Sequence, residues 1–272
     1  MENEIVFLGT AGNLSLVSKN LRKGGGIIVR CGEVQIHIDP GAGALRSAAE
    51  ANVNLRENTA VLVSHAHLNH CNDINAVLAA MTHNNLDVKG ILIGNESLLR
   101  DPTVSVMTRF AESCAEKIIL AEPGKKIAIE EVEIEFLKTK HKDSSIGFKI
   151  KTPKFVLIYT GDTAYDREII DQYLQSDILI LNVPFPFGAQ EHLLNSDDAV
   201  NILKFVKPQV AIITHFGSKM ISASPIYEAR EIQKQSGVPT LAAEDGMHID
   251  PMAYSKERTQ KMVDFLAKEK PA

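Results

Sequence analysis

Positive charge is not in excess in this chain. Lys and Arg number 29 against 34 Asp and Glu, a net charge of −5 over 272 residues. That argues against a generic nucleic-acid coat or a polybasic membrane binder, although a local basic groove stays open. Long apolar runs are missing too, since none approaches the roughly 20 residues of a spanning helix. Cysteines are few: Cys31, Cys71 and Cys114 make an odd number without a CxxC pair. A disulfide framework is not expected, and a reducing cytoplasm fits best. The opening MENEIVFLGTAG is acidic and runs straight into a strand-like stretch, unlike a signal peptide. No linker composition, low-complexity segment or short repeat appears, so a single domain over 1–272 is expected. The 44% apolar content supplies a sizeable core.

Apolar alternation predicts strands at IVFLG, GIIVR, VQIHID, AVLVS and GILIG, then at KIILA, KIAIE, VEIEFLKT, IGFKIKT and KFVLIYT. DILILNV, VAIIT and TLAAE add three more. Helical spacing marks GAGALRSAAEANV, CNDINAVLAAMTH (71–83), REIIDQYL, SDDAVNILKFV, YEAREIQKQS and the polar-faced tail SKERTQKMVDFLAKE. Asn72 and Asp73 suit the first turn of the 71–83 helix. The order suggests two similar halves, each with a His-bearing strand end. That predicts an α/β fold of two mixed sheets packed face to face with helices outside.

The chemistry lies in HAHLNH, where His65, His67 and His70 fall within six residues at the end of a buried strand. Imidazole is a neutral ligand for a borderline metal such as Zn²⁺, and a loop leaving a strand can turn several rings to one point. Solvated loop histidines are the bland alternative. His141, Asp162 and His215 also stand just past apolar runs, where sheet edges open into a cleft. Asp162 taken alone reads as easily as a turn residue. Asp39, in IHIDPG, reads either as a carboxylate supporting a ligand His or as a turn residue. His37, His83 and His248 lack such a context, and Cys71 reads as a small buried helix residue.

HAHLNH, His141, the TGDT around Asp162 and the THF around His215 together resemble the metallo-β-lactamase-fold hydrolases. The resemblance runs from FLGTAG and IDPGAG to AAEDGM. HKDSSIGFKI, EHLLNSDDAV and THFGSKM bring it closest to the ribonuclease Z and cyclic-phosphodiesterase branch. It implies a four-layer αββα sandwich with two divalent ions at one edge of the sheets, Zn²⁺ first, with Mn²⁺ or Fe²⁺ also acceptable. His65, His67 and His141 would hold one ion, His70 and His215 the other, and Asp162 would bridge them. A water deprotonated between the ions would attack the substrate. His192 would protonate the leaving group, or is a surface His flanking a helix. Ser145, Gly217 and Lys219 would contact phosphate through a hydroxyl, a backbone N–H and a point charge, or belong to solvated loops.

The pattern departs from the family at Asn69, where the family carries Asp. An amide brings no charge and no base, so a second ion is bound more weakly and catalysis is reduced. Asp73 is a substitute ligand only if it can reach back from its helix. Twenty residues filled by two strands separate His141 from Asp162, and no Gly- and Lys-rich arm lies between His70 and His141. A small phosphodiester or cyclic nucleotide is therefore expected, without membrane, tRNA or other long-RNA partners. Relatives in this branch are often dimers, which makes a homodimer an expectation of the resemblance. A lactone or thioester hydrolase of the same fold is the second reading, and a weakly active or inactive binding protein the third.

Overall fold

The computed structural model describes residues 3–255. Its strands are β1 (Glu4–Phe7), β2 (Ile27–Cys31), β3 (Val34–Ile38), β4 (Asn58–Val63), β5 (Ile91–Gly94), β6 (Lys117–Leu120) and β7 (Lys126–Ile129). They continue as β8 (Val132–Lys138), β9 (Ile146–Lys151), β10 (Val156–Tyr159), β11 (Ile178–Asn182), β12 (Val210–Thr214), β13 (Thr240–Ala242) and β14 (Met247–Ile249). Among the described residues they form two seven-stranded sheets, in the orders β14-β1-β2-β3-β4-β5-β6 and β13-β12-β11-β10-β9-β8-β7.

Each sheet is antiparallel in one half and parallel in the other, which is the twofold likeness of the halves expected from the sequence. β1, β2 and β3 pair antiparallel and β3 to β6 parallel. β7 to β10 pair antiparallel and β10 to β13 parallel.

Side-chain alternation along the strands makes the layers. Ile36, Ile38 and Leu62 of one sheet meet Phe148, Ile178 and Ile212 of the other in a shared core. Between them, Val61 and Val63 face outward onto Ile74, Val77 and Leu78. On the far side Leu179, Leu181 and Ile213 face Ile202, Leu203 and Ile232. The result is the αββα sandwich. All three cysteines are free and buried. None of the described helices is long and apolar enough to cross a membrane.

The helix Ser196–Val206 shows why these stretches fold locally as they do. Asn195 and Asp198 form a reciprocal capping box, and Val200, Leu203 and Val206 put one apolar face on the sheet.

The helix expected over 71–83 differs. The chain turns helical already at Leu68–Cys71, breaks, and resumes at Ile74–Met81. The cause is Asp73, whose N–H donates to Pro40 O (3.0 Å) instead of continuing the ladder. REIIDQYL is one α-turn, Arg167–Ile170, followed by a 3₁₀ turn. The helices Leu14–Ser18, Glu96–Arg100, Arg109–Cys114 and Ser218–Ala223 and the strand β14 were not foreseen, being too short for a periodic signal. The expected tail helix lies, beyond Ser255, outside the described residues.

Candidate metal centre

β3, β4, β8, β10, β11 and β12 all end at the same edge of the sandwich, and each hands on a polar side chain there. They lead in turn to Asp39, His65, His141, Asp162, Asn182 and His215. The HAHLNH turn is seated on the IDPGAG turn. A Cβ on Gly41 would lie 2.0 Å from Asn69 O, so only glycine lets the two backbones approach so closely.

Donor atoms of His65, His67 and His141 lie within 4.8 Å of one another, and so do those of His65, His70 and Asp162. His65 Nε2 is 2.8 Å from His67 Nδ1, and His70 Nε2 is 2.9 Å from His215 Nε2. Asp162 stands between the sets. Its Oδ2 is 3.4 Å from His70 Nε2 and 4.0 Å from His65 Nε2, and its Oδ1 is 3.5 Å from His215 Nε2. Six side chains from distant stretches thus converge, and such a set of imidazoles around one carboxylate suits a divalent cation.

The far nitrogens meet a second ring of partners. Nδ1 of His70 donates to Asp39 Oδ2 (2.8 Å), Nδ1 of His65 lies 3.0 Å from Ser64 Oγ, and Nε2 of His67 is 2.9 Å from Asp143 Oδ2. Tyr159 OH donates to Asp39 Oδ2 (2.7 Å), and Asn182 Nδ2 donates to Asp162 Oδ1 (2.7 Å). Such contacts set which nitrogen keeps a free lone pair. Of these partners the sequence reading named only Asp39. Asn182 was findable, since it ends an apolar strand as the cluster residues do. Tyr159, the last residue of β10, and Ser64, just past β4, carried the same signal, whereas Asp143 lies in a loop and carried none.

The sequence pattern of the beta-lactamase superfamily domain matches residues 35–216, a span that contains every member of this cluster. The chain belongs to the beta-lactamase superfamily. It is 27% identical over 256 residues to the uncharacterized protein MJ1374 of Methanocaldococcus jannaschii, covering 92% of this chain and 96% of that one. It is 29% identical over 159 residues to the ribonuclease Z of Methanopyrus kandleri, covering 57% and 53% of the two. Its structure is similar to the metallo-β-lactamase fold protein YhfI from Bacillus subtilis, with a TM-score of 0.76, 18% identity, and 92% of this chain and 100% of that one covered.

In this superfamily member, charge is distributed unevenly over the centre. Burial disfavours a charged His70, but Asp162 and Asp39 outweigh it and raise its pKa to about 10. Burial, with Asp162 only partly opposing, lowers His215 to about 4. Burial and the neighbouring His70 hold His65 well below the usual range. Burial would raise Asp162, yet His215 and His70 hold it well below the ordinary carboxylate value.

A cleft of about 360 Å³ opens over the cluster, lined by His67, His141, Asp162, His192 and His215. Phe185, Lys142 and Lys219 flank it. His192 is exposed at the rim, and Lys219 pairs with Glu191 at 2.6 Å. Asn69 lines the same cleft, with its amide nitrogen 3.0 Å from His215 Nε2.

Of three further candidates, Gly217 borders the cleft, and Ser145 and Asp73 lie away from it. Ser145 is buried, its Oγ has no partner, and it is not among the cleft residues. Gly217 borders the cleft, but its N–H already donates to Pro184 O (3.1 Å) and is committed. Asp73 turns its carboxylate to Gly43 N (3.0 Å) and neither caps its helix nor joins the cluster. Among the remaining histidines, His37 is buried with Nε2 2.7 Å from Gly25 O, His248 pairs with Glu4, and His83 is exposed. A larger cavity of about 920 Å³ holds none of the cluster residues, and its Arg30 and His248 are already paired with Glu4.

Proposed function

We propose that this chain is a metal-dependent phosphodiesterase acting on a small phosphodiester, cyclic nucleotides included. The expected cations are two, Zn²⁺ first, with Mn²⁺ or Fe²⁺ also accepted by imidazole and carboxylate ligands. The reading is supported above all by the cleft that joins the six-residue cluster to His192 and to Lys142, with the Lys219–Glu191 pair on its other flank. A neutral lactone or thioester has no need of those cations, whereas an anionic phosphodiester does. At about 360 Å³ the cleft is of small-molecule size. Among the described residues, the stretch from His70 to His141 is taken up by helices and by β5 to β8. A superfamily likeness to ribonuclease Z therefore carries over here as phosphodiester chemistry, without a grip on long RNA.

Bound divalent cations supply Lewis-acid polarisation and a water that ionises near neutral pH. The side chains do the rest. His65, His67 and His141 on one side, and His70 and His215 on the other, would hold the cations, and the Asp162 carboxylate stands between the two sets. Lys142 on the flank draws the anionic substrate in, and Lys219 does so only by giving up its pairing with Glu191 (2.6 Å). His192 stands at the rim beside His141, where it gives a proton to the departing ester oxygen.

The leaving group provides the test. A p-nitrophenolate departs without a proton, and an alkoxide does not. His192→Ala should therefore leave hydrolysis of bis-p-nitrophenyl phosphate nearly intact and slow a cyclic nucleotide by about 10²–10⁴-fold. A cyclic-nucleotide rate in the variant equal to that of the native chain would remove His192 from the reaction. A panel that turned over lactones or thioesters, and no phosphodiester, would replace this reading with the carbonyl hydrolase. A binding protein with little turnover is favoured by one observation, the amide of Asn69 at the centre.

A further inference from the structure

We infer that Asn69 makes the two sides of the centre unequal. The chain takes one divalent ion firmly through His65, His67 and His141, and a second only weakly at His70 and His215. This rests on the metal-dependent reading above and says how the centre fills.

The argument starts from the amide. Asn69 Nδ2 donates to Gly12 O (3.3 Å) and to His215 Nε2 (3.0 Å). An amide has a donor end and an acceptor end, and a backbone carbonyl only accepts. Gly12 O therefore selects the nitrogen end. Turning the amide over would set two oxygens against each other.

Gly12 itself cannot move away. Its N–H donates to Phe216 O (2.8 Å), and its backbone is so close to that of His215 that a Cβ would lie 2.3 Å from His215 O. The second N–H of Asn69 is consequently held on His215 Nε2. That nitrogen is the one facing Asp162 and His70, so it is the atom His215 would offer to a cation. An ion can use it only after the amide has released it.

Charge acts in the same direction. Among the described residues, Asp162 is the single carboxylate with oxygens facing both donor sets, at His65 and His70 through Oδ2 and at His215 through Oδ1. Asp39 is turned to the far side of His70. A second cation on the His215 side would find no further negative charge there, because Asn69 has none. On the His65–His67–His141 side the outer nitrogens of His65 and His67 lie against Ser64 and Asp143, and His141 Nδ1 accepts from the backbone N–H of Asp143 (3.2 Å), so no side-chain amide is set against these rings as Asn69 is against His215.

Titration calorimetry with Zn²⁺ alone tests this on the full chain stripped by a chelator. Elemental analysis after gel filtration checks the stoichiometry. The native chain should show one tight equivalent and a second at least tenfold weaker. Asn69→Asp, which brings a charge and takes away the donor, should tighten the second by tenfold or more and leave the first unchanged. Asn69→Ala, which only takes away the donor, should gain part of that. His67→Ala should abolish the tight equivalent, and His215→Ala should keep it.

Two equally tight equivalents in the native chain would overturn the inference alone. So would a second equivalent that Asn69→Asp does not tighten, or a tight equivalent lost with His215 and retained without His67. Zinc uptake by none of the folded proteins would overturn the metal-dependent reading itself, and this inference with it.

Discussion

Asp39 holds His70 by its far nitrogen: Nδ1 donates to Oδ2 across 2.8 Å, with both side chains buried. The same carboxylate accepts from Ser64 N (2.7 Å), Ser64 Oγ (2.8 Å) and Tyr159 OH (2.7 Å). Asp39 adopts a left-handed φ of 52° to reach this position, a conformation with a cost for a residue other than glycine. Four donors on one carboxylate fix its place, and it in turn fixes the tautomer that leaves His70 Nε2 facing Asp162.

Asp39→Asn should therefore weaken divalent-metal affinity by about 10–100-fold while the protein stays folded. Competition against a chromophoric chelator measures this. An unchanged affinity would show that His70 needs no such support.

Tyr159→Phe tests the next layer. Burial first, and then the charges of Asp39 and Asp162, push the Tyr159 hydroxyl well above its ordinary pKa, so it remains a donor at every working pH. Removing it takes a buried hydrogen bond from Asp39. The variant should lose about 1–3 kcal/mol in urea unfolding at fixed metal concentration. A midpoint equal to that of the native chain would mean that water or Ser64 replaces the bond without loss.

His37 gives a pH signature separate from the centre. Burial pushes its pKa from 6.5 down to about 4, and the bond from its Nε2–H to Gly25 O only partly opposes this. Above pH 6.5 both the folded and the unfolded chain carry it neutral, and its contribution is complete. As pH falls from 6.5 to 4 the unfolded chain takes up a proton that the folded chain refuses. Stability is lost through that window, by roughly 3 kcal/mol at its lower end, and the loss levels off below it. His37→Gln keeps a donor for Gly25 O and should flatten this part of the curve. Parallel native and variant stability curves between pH 7 and pH 4 would sink the assignment.

Gly41→Ala probes the seat beneath HAHLNH. Its Cβ would fall 2.0 Å from Asn69 O and 2.7 Å from Asn69 C, both of them backbone atoms. The turn must shift, and metal affinity should fall at least tenfold along with a lower Tm. Native affinity in this variant would show that the two turns can part without disturbing the rings.

Much of the architecture was legible because periodicity is a property of neighbouring residues. Thirteen of the strands answer to apolar runs read from the chain, and the two halves of the molecule repeat one topology. His65, His67, His70, His141, Asp162 and His215 were legible as residues just past such runs. Ser145 and Gly217 were not, because burial and a prior claim on a backbone N–H do not show in a residue type. The break at Asp73 escaped for a similar reason: Pro40 O, which diverts its N–H, lies more than thirty positions away.

Chain-local chemistry was enough to call for a sandwich with imidazoles at one edge, since strand alternation and ligand type are written residue by residue. It took the family resemblance, with Asp at this position, to mark Asn69 as the odd member of the cluster. Which nitrogen each ring turns inward, and which end of the Asn69 amide meets His215, was settled by packing. Those choices depend on Asp39, Ser64, Gly12 and Tyr159, and a hydrogen bond between groups 120 positions apart, such as Tyr159 to Asp39, exists only once the two sheets lie face to face.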